Sequence, residues 1–424
     1  MRPSHYLLIS AAVIMLLALG AGILALLSPA IPRKVVMATG SEGGGYAEFG
    51  ERYRDIFARQ GVTLTLRHTH GSIENLSLLH DRESGTSIAF VQGGLARPQQ
   101  FPDLVSLGTV AMEPVWIFYR RGEERLDLLN QLRGLRVSIG PPGSGMRAHS
   151  QALLALNGID EHNTSLLPLA PLEAAKQLMA GEIQAVMLVD SLNAPAVHQL
   201  LASPGIELLS LRQADAYAAR FPSLSKVVLP AGFADLAHGR PAADVEMVAV
   251  KTNLVVRRDL QPPVQYLLLE AATQIHAHPG VFQKSGAFPA GEETDLPLSD
   301  DARQFYKFGP PLLQRNLPLW LAVLIKQLAI VLLPVAAIGY PLVRMLPAAT
   351  DWWMRRRVHT LYGELKLLEL ELEDYGQERR SAELSDLTRL EYRAAHLRMP
   401  STYAHLLYAL QKDINLVRSR LDST

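Results

Sequence analysis

Two glycine-rich turns are the segments best suited to binding chemistry. Thr39–Tyr46 reads TGSEGGGY and Gly140–Arg147 reads GPPGSGMR, and each joins a β-rich run to a stretch with helical periodicity. Glycine lets the backbone approach a ligand closely, and the free N–H groups of a first helical turn favour an anion. Either turn alone could be an ordinary connection. Together they predict a pocket that closes on one small ligand, such as a carboxylate, from opposite sides.

The second turn resembles a nucleotide-binding P-loop but lacks the residues that the chemistry requires. Where the P-loop has a Lys for the β- and γ-phosphates and a hydroxyl for Mg²⁺, this chain has Met146 and Arg147. Ser144 is followed directly by Gly145, so it does not lie in the G-x-S-x-G turn of the serine hydrolases. An ATPase and a serine hydrolase are both disfavoured, and no catalytic residue is predicted.

Histidine and cysteine do not predict a metal site. His68 with His70, and His276 with His278, could each place two imidazoles on one side of the chain. A metal site normally needs three or four converging ligands, so we expect solvated or hydrogen-bonded histidines. The sequence has no cysteine, which excludes disulfides and thiolate ligands. Neither a metal nor a cofactor is predicted.

The elements that must position the two turns alternate between strands and helices. Strands are predicted at 33–38, 63–67, 87–91, 135–139 and 184–189, and helices at 46–60, 72–80 and 146–157. Alternation of this kind predicts a mostly parallel sheet with helices on both faces. Two such sets within residues 29–316 predict two lobes with a cleft between them. The 41 basic and 41 acidic side chains cancel, so nucleic acid is not an expected partner.

Two apolar stretches flank this region. Tyr6–Leu27 carries no charge and is long enough to cross roughly 30 Å of hydrocarbon. We expect a retained anchor at 1–28, with a cleaved signal peptide as the alternative, because a signal core usually covers only about 7–15 residues. Leu317–Val343 is the second predicted span, within 317–346, and a buried core helix is its alternative. Arg355–Arg357 follow it, which predicts a cytoplasmic end by the positive-inside rule.

The last segment, 347–424, predicts a cytoplasmic helical tail. Apolar residues recur there with heptad-like spacing, as in Leu361, Leu365, Leu368 and Leu372, and again from Tyr403 to Leu421. Such seams are typical of a small helical bundle or a coiled coil. Self-association through the tail and an intramolecular hairpin are equally compatible with this pattern.

Five segments also resemble a known family in their order and spacing. They are ATGS and GGGY within 38–46, GSIENL at 71–76, IAFVQ at 88–92, GPPGSG at 140–145 and AGEIQA at 180–185. Together they resemble the TAXI family, the TRAP-associated extracytoplasmic immunogenic solute receptors, and the apolar span and tail are similar to its membrane-anchored branch. The resemblance implies an α/β, two-lobed type II periplasmic-binding-protein fold. It also implies delivery of a small organic acid, such as glutamate or 2-oxoglutarate, to the membrane subunits of a TRAP permease.

The resemblance further implies which positions face the ligand. They are Ser41, Gly45, Tyr46, Ser72, Asn75, Gln92, Ser144 and Gly145, and the neighbouring Gly44, Gly143 and Arg147 complete the predicted set. Met146 stands where the family usually has Thr, so Arg147 is the candidate replacement for a lost polar contact.

The expected function is therefore that of a membrane-anchored solute receptor and not of an enzyme. The receptor domain would face the bacterial periplasm, with the anchors in the inner membrane and the tail in the cytoplasm. The alternative is a sensor or scaffold that relays solute binding through the membrane to the helical tail.

Overall fold

The structure, a computed structural model, describes most of the chain. The described residues are 34–122, 125–310, 319–375 and 380–423, together with Ile14, Met15, Ala18 and Gly22. The chain divides into two compact units. One is Ala30–Leu324, and the other combines Met1–Pro29 with Ile325–Thr424.

Ten strands and eight of the helices build the Ala30–Leu324 unit. The strands are β1 Lys34–Ala38, β2 Thr63–Arg67, β3 Ile88–Gln92, β4 Leu104–Arg120, β5 Arg136–Ser138, β6 Ser165–Leu167, β7 Ala185–Val189, β8 Ile206–Leu208, β9 Leu224–Leu229 and β10 Val245–Arg257. The helices are α1 Gly45–Arg59, α2 Ser72–His80, α3 Gly145–Leu156, α4 Pro171–Ala180, α5 Pro195–Ala202, α6 Ala214–Arg220, α7 Pro262–His276 and α8 Asp300–Phe308.

The strands form one sheet that serves two lobes. Its order is β2-β1-β3-β10-β4-β7-β5-β6, with β8 beside β4 and β9 beside β10. The first lobe contains β1–β3, α1, α2, α7, α8 and the adjoining halves of β4 and β10. The second lobe contains β5–β9, α3–α6 and the other halves of these two long strands. Each lobe has its own buried apolar cluster, with Tyr53 and Phe90 in the first and Trp116 and Leu154 in the second.

Strand β4 passes from one lobe to the other in the middle of its length. It pairs with β10 as far as Pro114 and with β7 from Val115 onward. Nearly all of its residues are buried, because the sheet is covered on both faces, and a strand buried on both faces reads as a continuous apolar run. Glu113 is the exception in this run, and it lies directly beside the switch of partners.

The expectation of a mostly parallel sheet is wrong. Among the strand pairings of the described residues, four are parallel and five are antiparallel. The parallel pairs involve β1 and β5, which were expected from the alternation of strands and helices. The antiparallel pairs all involve β4 or β10, the two strands that carry the chain between the lobes, and neither of these was recognised in the sequence.

The helical tail folds back on itself. Helix α9 is Leu319–Tyr375, α10 is Arg380–Ala395 and α11 is Ala404–Ser423. Apolar residues of all three helices form one buried cluster: Val358, Leu361, Leu365, Leu387, Leu390, Ala394, Leu410, Ile414 and Val417. Ion pairs join the helices at its edge, for example Arg393 to Glu364 at 2.6 Å and Arg418 to Glu391 at 2.7 Å. The heptad-like seams pack against one another within the chain, and self-association through the tail stays a prediction.

The predicted membrane spans are not confirmed. Within the described ranges, we find no helix whose length and apolar character would let it cross a membrane. This finding covers the described part of the second predicted span, Leu317–Val343. The first, Tyr6–Leu27, lies outside the described residues apart from Ile14, Met15, Ala18 and Gly22.

Candidate binding cleft

Both glycine-rich turns line one cleft between the two lobes. The cleft has a volume of about 480 Å³, including the space at its open mouth. Eight of the eleven predicted positions line it, namely Ser41, Gly44, Gly45, Tyr46, Ser72, Gln92, Ser144 and Gly145. Among the lining residues that sequence reasoning did not select are Glu113, Met146 and Asp190.

The first turn meets a carboxylate from the opposite lobe. Helix α1 begins at Gly45, and its N-cap residue, Gly44, has no side chain that could cap it. Instead the N–H of Gly45 donates to Oδ1 of Asp190, 3.1 Å away, at the end of β7. A Cβ at position 45 would lie 2.6 Å from the same oxygen and 2.9 Å from Oγ of Ser191, so only glycine allows this approach. Asp190 thus occupies the place where an anionic ligand would meet the helix N-terminus.

The second turn is capped by its own serine. Oγ of Ser144 accepts from the N–H of Arg147 at 3.1 Å and donates to the carbonyl oxygen of Pro141 at 2.7 Å. This is the usual N-cap arrangement, with a serine oxygen on the third helical N–H. A Cβ at Gly145 would overlap Oε1 of Gln92 in the first lobe. Both turns therefore place a glycine where the opposite lobe comes closest.

Glu113 lies beneath both turns and was missed by sequence reasoning. Its side chain is 1% exposed. Three donors surround its carboxylate: Nε2 of Gln92 at 2.6 Å, Oγ1 of Thr252 at 2.7 Å and the hydroxyl of Tyr46 at 3.3 Å. The signal was present in the sequence, since Glu113 is the sole charged residue of the apolar run 104–119. A buried charge with several hydrogen-bond partners is a candidate for function.

Burial shifts the pKa values of both acids in the cleft. Desolvation, followed by the nearby charge of Asp190, raises the pKa of Glu113 to about 8, although donors from Thr252, Gln92 and Tyr46 oppose the shift. Desolvation also raises the pKa of Asp190 to about 6, opposed by the N–H groups of Ser191 and Gly45. At neutral pH Glu113 therefore holds a proton, whereas most of Asp190 is ionised.

The cleft contains no lysine or arginine among its described lining residues. The guanidinium of Arg147 instead contacts the carbonyl oxygen of Gly140 and Oε1 of Glu161, each at 3.3 Å. These two contacts hold the guanidinium away from the lining of the cleft. The residue expected to replace a lost ligand contact thus lies outside the lining.

Asn75 and Gly143 also lie outside the lining. Nδ2 of Asn75 donates to the carbonyl oxygens of Thr39, at 2.6 Å, and Phe90, at 2.9 Å, and so ties the ends of β1 and β3 together. The carbonyl oxygen of Gly143 accepts from the N–H of Glu74 at 3.1 Å. Asn75 thus has a structural role, and Gly143 takes part in the contact between the lobes.

Among the described residues, three hydrogen bonds join the lobes across the cleft. They join Gly45 to Asp190, Glu74 to Gly143, and Nε2 of Gln92 to the carbonyl oxygen of Val189 at 3.2 Å. The cleft is therefore in a closed arrangement, with Gln92 contacting the second lobe directly. As for metal binding, the described residues contain no group of three or more His, Asp or Glu side chains arranged as ligands.

A comparison with known protein families identifies the family of this chain. A family profile described as the NMT1-like family matches residues 37–307, more than half of the chain and nearly all of the two-lobed unit. The chain belongs to the NMT1-like family. The resemblance to the TAXI family is not confirmed. The fold is α/β, with two lobes that share one sheet through β4 and β10.

The solved structures that match this NMT1-like protein share little sequence with it. The alkanesulfonate-binding protein SsuA from Xanthomonas axonopodis pv. citri, bound to MOPS, is 15% identical with a TM-score of 0.38, and the match covers 58% of this chain and 74% of that one. An ancestral arginine-binding protein bound to arginine is 11% identical with a TM-score of 0.38, and the match covers 58% of this chain and 93% of that one.

Proposed function

We propose that Ala30–Leu324 is a receptor that binds a small solute between its two lobes. The observation that carries this proposal is the convergence of both glycine-rich turns on one cleft, with polar groups from both lobes directed into it. Clefts of this kind, apolar in part and lined by a few convergent polar groups, are the usual small-molecule sites of proteins. The NMT1-like family match covers the same residues and supports the proposal.

The proposal is binding without catalysis. A nucleophile requires a base within hydrogen-bond reach, and the hydroxyl of Ser144 is instead engaged with the backbone of Pro141 and Arg147. Glu113 is held by three donors at the bottom of the cleft, where it can shape the electrostatics of a bound solute.

The proposal extends to a role in transport at the inner membrane. The predicted partner is a set of permease membrane subunits, of the TRAP type by the sequence resemblance, that accepts the solute from the cleft. The proposal rests on the exposed apolar side chains of α9, such as Ile330, Leu333 and Tyr340, which are 62%, 70% and 68% exposed, and not on a membrane-spanning helix, since none is found among the described residues.

The predicted topology can be tested by labelling single cysteines. The chain has no native cysteine, so one introduced cysteine reports one position. Leu236 of the two-lobed unit and Tyr408 of the tail are 87% and 71% exposed. In intact cells with a permeabilised outer membrane, an impermeant maleimide should label Leu236→Cys and leave Tyr408→Cys unlabelled until the inner membrane is opened. Equal labelling of both would contradict the topology.

Solute binding itself can be tested on the purified full-length chain. Thermal denaturation against a panel of amines, amino acids, organic acids and sugars should identify at least one compound that raises the midpoint, because a ligand of the folded state stabilises it. Gly145→Leu should abolish the shift by filling the cleft next to Gln92. Gly363→Ala is the matched control, since a Cβ there meets no atom within 4 Å. If no compound shifts the midpoint of the folded wild type, the receptor proposal is wrong.

A further inference from the structure

One hydrogen-bond acceptor in the wall of the cleft is buried without a partner. Gln92 is 5% exposed, and its Oε1 has no hydrogen-bond partner within the described residues. The orientation of the amide is set by its other end, where Nε2 contacts Oε2 of Glu113 and the carbonyl oxygen of Val189. A flipped amide would place Oε1 against the carbonyl oxygen of Val189, which cannot donate to it. Oε1 of Gln92 therefore lies against Gly145, in the wall of the cleft, as a buried acceptor without a donor.

Asp190 offers a second acceptor. Both hydrogen bonds that its carboxylate accepts, from the N–H groups of Gly45 and Ser191, end on Oδ1. Oδ2 lies on the side of Gly44, another lining residue, 3.8 Å from where a Cβ of Gly44 would be. Asp190 is half-buried, so this oxygen is accessible to a ligand in the cleft.

Two of the N–H donors that could hold an anion are already used. The first N–H of α1 is bound to Asp190, and the Arg147 N–H of α3 is bound to Ser144. The guanidinium of Arg147 points away toward Glu161. A carboxylate ligand would enter next to Asp190 without a lysine or arginine from the described lining to balance its charge. Because like charges repel strongly where water is scarce, this arrangement opposes an organic acid.

We propose that the cleft selects solutes with a positively charged amino group, which donates to Oε1 of Gln92 and to the carboxylates of Asp190 and Glu113. An ammonium group has three donors and no acceptor, so it satisfies a site that contains acceptors. This inference rests on the proposed receptor function and replaces the carboxylate that the sequence resemblance implied.

The charged groups around the site agree with this assignment. The carboxyl group of Glu113 is near the hydroxyl of Tyr46 in α1 and is affected by the charge of Asp190, which follows β7. The charge of Glu48 affects Asp190 in turn. Lys251 of β10 directly precedes Thr252, which bonds to Glu113, but the ammonium group of Lys251 is paired with Glu293. His70 lines the cleft with Nδ1 at 2.7 Å from Oε2 of Glu74. Among the described lining residues, no lysine or arginine is paired with the two acids.

A matched set of probes separates the ligand classes. Cadaverine, glutarate and 1,5-pentanediol share a five-carbon chain and differ in the charge of their ends, and lysine, choline, 2-oxoglutarate and glucose extend the panel. Isothermal titration of the full-length chain at pH 8 should show an amine binding at least tenfold more tightly than every organic acid. A tighter organic acid or neutral compound would overturn the amine assignment and leave the receptor proposal intact. If no probe binds, the receptor proposal fails and the amine assignment fails with it.

Variants and proton counting give independent readouts. Asp190→Asn and Glu113→Gln should each weaken amine binding at least tenfold, whereas Glu161→Gln, a control at an exposed residue outside the cleft, should not change it. Titrations in buffers of different ionisation enthalpy should show that amine binding releases protons, because the cation favours the ionised acids. Affinity should accordingly fall as the pH is lowered from 8 to 6. Proton uptake on binding, or unchanged affinity in both acid variants, would overturn the assignment.

Discussion

The two glycine-rich turns look alike in sequence but contact different groups. Each joins a strand to a helix and places a glycine at the start of that helix. The first turn has no cap of its own and receives the carboxylate of Asp190 from the opposite lobe. The second is capped by Ser144 within the turn. The first turn therefore depends on closure of the lobes for its hydrogen bond, and the second does not.

This difference shows why a glycine-rich turn before a helix does not by itself indicate an anion site. The helix dipole and free N–H groups favour a negative charge, but the protein can supply that charge or a neutral oxygen. Which of these occurs depends on residues far away in sequence, since Gly45 and Asp190 are separated by 145 positions.

Glu113, which lies beneath both turns, should give the largest effect. Its folded-state pKa is raised to about 8, so the folded state holds the proton more tightly than the unfolded chain does. The stability this provides is complete below the unfolded pKa and is lost as the pH rises through about 8. Glu113→Gln should remove that loss. The decrease of the unfolding free energy between pH 5 and pH 9 should therefore be smaller in the variant than in the wild type by about 3–5 kcal/mol.

Urea unfolding of wild type and Glu113→Gln across this pH range measures the effect. Asp190 contributes in the same direction at lower pH, because its pKa is raised to about 6. A wild-type profile that rises toward pH 9 would show that Glu113 is stabilised as an anion in the free protein.

The glycines at the two helix starts give the next largest effect. Gly145→Ala should destabilise the unit by about 1–3 kcal/mol, as overpacking does, because the new Cβ meets the buried Gln92. Gly45→Ala should cost less, since the half-buried Asp190 can move away from the new Cβ. Thermal denaturation ranks the two, with Gly363→Ala as control. Small-angle scattering should show an increased radius of gyration for Gly145→Ala. A larger loss of stability in Gly45→Ala than in Gly145→Ala would contradict this prediction.

The serines of the two turns sharpen the comparison further. Ser144→Ala removes the N-cap of α3 and should cost about 1 kcal/mol. Ser41→Ala is the matched change in the first turn, where α1 has no side-chain cap, and should leave the unfolding free energy unchanged. Equal losses in chemical denaturation would mean that the first turn is capped by its own serine after all.

Arg147 should give the smallest effect. Its ion pair with Glu161 is at the surface, where Glu161 is 65% exposed, and such pairs contribute about 0–1 kcal/mol. Arg147→Ala should therefore change stability slightly and leave ligand affinity unchanged in calorimetry. A loss of affinity of tenfold or more would place the guanidinium in the cleft.

The parts that were predictable from sequence are those that local rules determine. The strand–turn–helix units at Gly45 and Gly145 follow from glycine positions and periodicity, and the buried seams of the tail follow from heptad-like spacing. The roles of Asn75 and Arg147 were not predictable in this way. Asn75 bonds to the carbonyl oxygens of Thr39 and Phe90, and the guanidinium of Arg147 bonds to Glu161. Both roles depend on residues outside the local motif.

Glu113 was missed for a different reason. Its strand, β4, is long and almost entirely apolar, and a single carboxylate within it could be recognised in the sequence. Its meaning depends on the switch of strand partners at Pro114 and Val115. Local patterns contain no information about that switch, because β4, β7 and β10 are far apart in the sequence.

The sharing of β10 between the lobes has a consequence for synthesis on the ribosome. The first half of β10 completes the apolar cluster of the second lobe, whereas its second half lies between β3 and β4 in the sheet of the first. The first lobe also needs α7 and α8, which follow β10. The first lobe, whose strands β1–β3 are synthesised first, is therefore completed after the second lobe. Until then the nascent chain exposes the unpaired edges of β3 and β4, which makes this interval the one in which a holding chaperone is most useful.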